Sequence, residues 1–149
     1  MKWRWVSWWF YTPLPLFFLA HLSHDICPSL LVPLLPLVRE DFHLNYLQSG
    51  LLLSAFSITA GFSQLPLGWL ADRLGRRILV TVGMMGVGVA TIVVGLSPGY
   101  IIVLMVLIAM GFFAGAYHPS AISYLPRYFP PDDHNRLFLA ALLLDSHAD

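Results

Sequence analysis

Three ionisable side chains, His21, His24 and Asp25, sit within five residues of one another in an otherwise apolar run from Leu14 to Leu37. If that run crosses a bilayer, each is expensive at its depth. Such groups face a protein interior or a water-filled cavity, where they mark the path of an ion, a proton or a substrate. His21 and Asp25 are four residues apart and share a helical face, so the carboxylate can fix the imidazole tautomer or exchange a proton with it. A plainer reading is a polar pair that only pins this helix to a neighbour. A third is metal ligation, since imidazoles and a carboxylate on one helical turn suit a zinc-like ion. His118 adds a candidate from a later apolar run. It continues the face of Gly111 and Gly115, a pair spaced to let helices approach closely, and is therefore expected inside a bundle near the cytoplasmic third of its helix.

The elements that must position these groups follow from composition. The 149 residues are 58% hydrophobic and 11% charged, against about 25% charged in an average soluble domain. A soluble fold could not hide that much apolar surface. Four runs reach the ~20 residues that a hydrocarbon core of ~30 Å requires, at about 12–38, 46–67, 78–96 and 100–125. The first carries Pro13, Pro15, Pro28, Pro33 and Pro36, so its ends are expected to be kinked or irregular. A fifth run, Leu137 to Leu144, is too short to span. The expected fold is all-α, a multi-pass transmembrane helix bundle. Residues 1–11 are expected to form a cytoplasmic N-terminus, 12–136 four helices, and 137–149 the truncated start of a fifth.

Short connections between the spans let charge report orientation. With the N-terminus inside, Lys2, Arg4, Arg73, Arg76, Arg77, Arg127 and Arg136 are cytoplasmic and only Arg39 is outside. Trp3, Trp5, Trp8, Trp9 and Tyr11 beside Lys2 and Arg4 suit a membrane interface. A signal peptide fits poorly, because the apolar stretch runs past any cleavage site. The formal net charge of zero excludes a global field for nucleic acid. Cys27 is the single cysteine, which rules out a disulfide framework or a cysteine metal site.

In the second run Gly50, Ser54, Ser57, Gly61, Gln64 and Gly68 form one stripe at helical spacing, expected to serve close helix packing or, alternatively, to line a pore. After it comes Gly68-Trp69-Leu70-Ala71-Asp72-Arg73-Leu74-Gly75-Arg76-Arg77, read as a cytoplasmic connection. Gly68 permits close approach, Gly75 a turn with positive φ, and Arg76 and Arg77 mark the start of the next span. Asp72, flanked by arginines, can close a charged latch when helices converge and release it when they part.

That ten-residue stretch resembles the signature of the major facilitator superfamily: Gly, three residues, Asp, basic, one residue, Gly, basic, basic. From average residue usage, a chance match is on the order of one in ten thousand for a chain of this size. Within the superfamily, His21-Leu22-Ser23-His24-Asp25 with Leu34-Leu35-Pro36, Gln48-Ser49-Gly50-Leu51-Leu52, and Gly115-Ala116-Tyr117-His118-Pro119 are similar to fosmidomycin resistance-type exporters. The resemblance implies a proton-coupled drug or small-molecule exporter of the inner or plasma membrane. It implies a polar cavity at His21, His24, Asp25, Gln64 and His118, and a cytoplasmic gate at Gly68, Asp72, Arg73, Gly75, Arg76 and Arg77. No arginine occurs in the fourth run, where many proton-coupled antiporters carry one, so coupling would fall to Asp25 and the histidines. The resemblance covers the first four of twelve helices, and the missing C-terminal half would be needed for transport. The implied partners are lipid, a small-molecule substrate and protons, with no cofactor. The competing expectations are a truncated inactive or purely structural membrane protein, and a small oligomeric metal-cation carrier. Neither a nucleophile elbow, a phosphate-binding glycine loop nor metalloprotease spacing occurs, so an enzyme is not expected.

Overall fold

The computed structural model describes residues 14–124, without the side chains of Leu14, Ile122 and Tyr124. The expectations for residues 1–11, for the connection at 126–136 and for the run at 137–149 lie outside the described residues. Within that range the chain is all-α: α1 Leu14–Ser29, α2 Leu31–Asp41, α3 Tyr46–Leu74, α4 Arg76–Gly95 and α5 Tyr100–Tyr124. Helices α1 and α2 together make one membrane-length stretch, Pro15–Asp41, so four helical stretches are long and apolar enough to cross a bilayer.

The break between α1 and α2 falls at Leu30, in the interior of the first span. Leu30 N–H still reaches the Ile26 carbonyl at 3.1 Å, and Leu34 N–H reaches Leu30 at 3.2 Å. Pro33, however, has no N–H to give to the Ser29 carbonyl, and its ring crowds that turn. After α2 the chain reverses through His43, whose φ is 52°. Helix α3 then opens on a reciprocal cap: Asn45 Oδ1 accepts from Gln48 N–H at 2.8 Å, and Gln48 Oε1 accepts from Asn45 N–H at 2.9 Å.

The stretch read as a connection at 68–77 is almost entirely helix. Helix α3 continues through Gly68 to Leu74, and Gly75 alone separates it from α4. Burial keeps it helical, because Leu67 and Ala71 pack with Leu79 and Ala116 in a small apolar cluster at that end. Gly75 adopts φ 97° and ψ 128° and donates its N–H to the Ala71 carbonyl at 3.0 Å. A side chain would strain that backbone.

Helix α5 lies between α3 and α4 and packs on both far more than they pack on each other. Glycines set the closeness. A Cβ at Gly111 would stand 2.5 Å from the Phe56 carbonyl oxygen and 3.0 Å from Ala60 N, and one at Gly115 2.9 Å from the Ala60 carbonyl oxygen. On the other side, a Cβ at Gly83 would stand 2.8 Å from the Phe113 carbonyl oxygen and 2.9 Å from Tyr117 N. Van der Waals contact between close backbones is what holds helices together where lipid is as apolar as leucine.

The face of α3 used for this packing is Ser49, Leu52, Ser63, Leu67 and Ala71, with Phe56 and Ala60 partly buried. It is not the stripe singled out in the sequence. Gly50, Ser54, Ser57, Gly61 and Gln64 are exposed, and a Cβ at Gly50 or Gly61 would meet nothing within 4 Å. Both faces of α3 carry small residues at helical spacing, so periodicity alone does not choose between them. The glycines of α5 do, by demanding Ala60 and Ser63 opposite.

Candidate functional site

The first span joins this three-helix unit lightly. Among its described residues only His24 and Leu31 are buried, and α1 lies mainly along α4. Leu31 joins the main apolar core with Cys27, Leu35 and Val38 packed beside it, and an aromatic contact adds to this. Because Gly83 lets α5 close on α4, Tyr117 is drawn into the interior, where it is 1% exposed. The imidazole of His24, 2% exposed, stacks on the Tyr117 ring with centroids 4.1 Å apart and planes 18° from parallel. The edge of His118 meets the same His24 ring at 5.0 Å.

Around that stack the polar atoms converge on Asp25. His21 Nε2 lies 3.2 Å from Oδ2, His24 Nδ1 lies 3.0 Å from Oδ1, and His118 Nε2 lies 3.9 Å from Oδ1. The carboxylate is 43% exposed, and His21 and His118 are 35% and 36% exposed. An ionised carboxylate only accepts hydrogen bonds, so His24 must then present N–H at Nδ1 and His21 at Nε2. The Nε2 of His24 is buried with no hydrogen-bond partner among the described residues, as is Ser120 Oγ. A proton arriving at this cluster has four adjoining sites, one carboxyl and three imidazoles, drawn from two spans. The arrangement can therefore take up, hold and pass on a proton.

Of the five cavity residues expected from sequence, the structure brings together His21, His24, Asp25 and His118. Gln64 is elsewhere, on the open face of α3. Tyr117 was missed, although its adjacency to His118 and the small residues of α4 were both visible. His118 does not share the packing of Gly111 and Gly115 against α3 but turns toward α1.

The second group lies at the Gly75 end of α3 and α4. Arg76 spans two elements: Nη2 donates to Asp72 Oδ1 at 3.0 Å, and Nη1 donates to the Ser123 carbonyl near the end of α5 at 2.9 Å. Arg73 lies over the Trp69 ring, 3.8 Å from its centroid. Arg77 and Asp72 are exposed. A Cβ at Gly68 would reach only Pro119 Cβ, at 4.0 Å, an ordinary contact, so no close approach there requires glycine. His118, Pro119 and Ser123 thus place the histidine cluster and the arginine clasp on one stretch of α5.

Comparison with known proteins identifies the class. Residues 14–143 match the family model for the Major Facilitator Superfamily, and the chain belongs to that family, whose members here are named as transporters rather than enzymes. Among its relatives, the probable L-galactonate transporter of Escherichia coli is 31% identical over 81% of this chain and 26% of its own length. The probable sulfoacetate transporter of Cupriavidus necator is 30% identical over 64% of this chain and 22% of its own. The fosmidomycin resistance protein of Escherichia coli is 23% identical over 69% of this chain and 25% of its own. The chain spans about a quarter of the length of these relatives. No solved structure matches it.

Proposed function

We propose that these helices belong to a proton-coupled secondary transporter that exports a drug or other small molecule by alternating access, with the N-terminus in the cytoplasm and the spans in the plasma membrane. The observation that carries this reading is the convergence of His21, His24 and His118 on Asp25 across two spans. Intramembrane carboxylates with such partners serve proton relays. Asp25 and the histidines take up and release the proton. The clasp of Arg76 on Asp72 and the end of α5 serves as the cytoplasmic gate, and transport requires an opposing set of helices across the substrate path. The fosmidomycin resistance subtype rests on the motifs around His21, Gln48 and His118 and on the relative of that name.

The test is a chimera in which residues 14–124 replace the matched segment of the fosmidomycin resistance protein, expressed in cells lacking that pump. Resistance that collapses when the proton gradient is dissipated is expected, and Asp25→Asn should abolish it without lowering expression. Export that persists in Asp25→Asn overturns the assignment. A second reading, carriage of small organic anions, is favoured by the two relatives at 30% and 31% identity. It predicts uptake of galactonate or sulfoacetate by the same approach in those backgrounds and no resistance.

A further inference from the structure

The distances around Asp25 leave one contact that hydrogen bonding does not account for. His118 Nε2 approaches Asp25 Oδ1 at 3.9 Å, too far for a hydrogen bond. One ring nitrogen each of His21 and His118 and one carboxylate oxygen of Asp25 all lie within 4.8 Å of one another. A zinc-type ion holds imidazole nitrogen and carboxylate oxygen each at about 2.0–2.2 Å, which sets neighbouring ligand atoms about 3.3–3.5 Å apart in a tetrahedral site. The pair His21 and Asp25, at 3.2 Å, already has that spacing. His118 stands 3.9 Å from the other oxygen, Oδ1, so a small inward movement of its ring, drawing ligand atoms now within 4.8 Å of one another to that spacing, completes a three-ligand set.

We infer that His21, Asp25 and His118 form a binding site for a divalent transition-metal cation of the zinc type, bridging α1 and α5 and leaving a coordination position open. The ligand set differs from the one-turn set legible in the sequence. His24 is not a ligand: its ring is committed to Tyr117, and its Nδ1 holds Asp25 Oδ1, the oxygen that His118 approaches, at 3.0 Å. It acts as a positioning residue, the role that outer-shell partners play at metal sites by fixing a carboxylate ligand. The donor set of two imidazoles and one carboxylate suits zinc and its first-row neighbours and disfavours calcium and magnesium, which take oxygen ligands. Partial exposure of all three side chains leaves a path for the ion. Metal and proton would claim the same lone pairs, so bound metal ties the first span to α5 through the group assigned above to proton handling. The site rests on geometry and does not depend on transport.

The test uses the untagged full chain in lipid nanodiscs, titrated with Co2+ and then with Zn2+. The expected result is one equivalent of Co2+ with the intense visible absorption of a low-coordinate ion, displaced by Zn2+. Asp25→Asn and His118→Ala should each lose that absorption and weaken Zn2+ binding by more than about tenfold, the loss that even an outer-shell deletion can cause. His43→Ala, in the exposed turn before α3, should change neither. His24→Ala should weaken binding yet keep the shape of the spectrum, since no ligand is removed. His21→Gln, which preserves a hydrogen bond toward Asp25, serves as the ligand deletion if truncation at His118 disturbs the helical circular dichroism. The weak absorption of a six-coordinate ion, or a strong band that survives both Asp25→Asn and His118 or His21 replacement, overturns the site. Because the readout is binding, its failure leaves the transport reading standing, and loss of transport in the chimera leaves the metal site standing.

Discussion

The first span and the α3–α4–α5 unit are both helices of membrane length, yet they are held by different physics. In α3, α4 and α5, glycine lets backbone meet backbone, and apolar side chains such as Leu52, Val87, Leu107 and Met110 fill the remaining space. In the first span, large side chains such as Leu16, Leu19, Val32 and Leu37 point away from the unit. The helix adds Leu31, with Cys27, Leu35 and Val38 beside it, to the edge of that core, and is otherwise attached by one stacked ring and a few polar contacts. The difference separates scaffold from chemistry. On the proposed reading, the span that handles the proton is joined in part through groups whose interactions depend on charge, while its neighbours are zipped by dispersion, which no proton alters.

The sharpest test of that separation is Asp25→Asn. In the chimera it should abolish proton-driven export, while the heat stability of the purified chain, followed by circular dichroism in detergent, stays close to that of the parent. A large fall in stability would mean that Asp25 is scaffold after all. The converse test is Gly83→Ala or Gly111→Ala, which puts a methyl group into backbone at 2.8 or 2.5 Å. Overpacking of this kind costs about 1–3 kcal/mol, read as a lowered unfolding midpoint. Next comes Asn45→Ala, which removes one arm of the α3 cap and should cost about 1 kcal/mol. The smallest effect is expected on the open face of α3, where Gly61→Ala meets nothing and should be neutral or stabilising by up to about 1 kcal/mol. If Gly61→Ala destabilised the chain as much as Gly111→Ala, the assignment of the packed face would be wrong.

Much of this comparison can be read from residues alone, and the part that cannot has a physical cause. The i, i+4 pairing of His21 with Asp25 follows from helix geometry, and the positive φ of Gly75 from its place between two basic helix ends. The meeting of His118 with Asp25 is tertiary, because it depends on how α1 leans on α4 and α5, which no local spacing encodes. The stripe from Gly50 to Gln64 takes no part in packing among the described helices, because small residues permit contact without requiring it, and its exposure leaves the pore-lining alternative open. The helical course of 68–74 was hidden by Gly68 and by Pro66, residues that end helices in water. Here Leu67 and Ala71 are buried, and a backbone at a membrane boundary gains more by keeping its hydrogen bonds.

Gly75 also sets the phase of the scaffold. With a single residue joining α3 to α4, the rotational setting of α4 about its own axis is tied to that of α3. One residue inserted there would lengthen the joint and loosen that tie. The close seating of Gly83 and Gly86 against Tyr117 and Phe113 would then no longer be set by the joint. The joint therefore acts as a timing mark between two helices, and the stack on Tyr117 that secures the first span inherits its register from it.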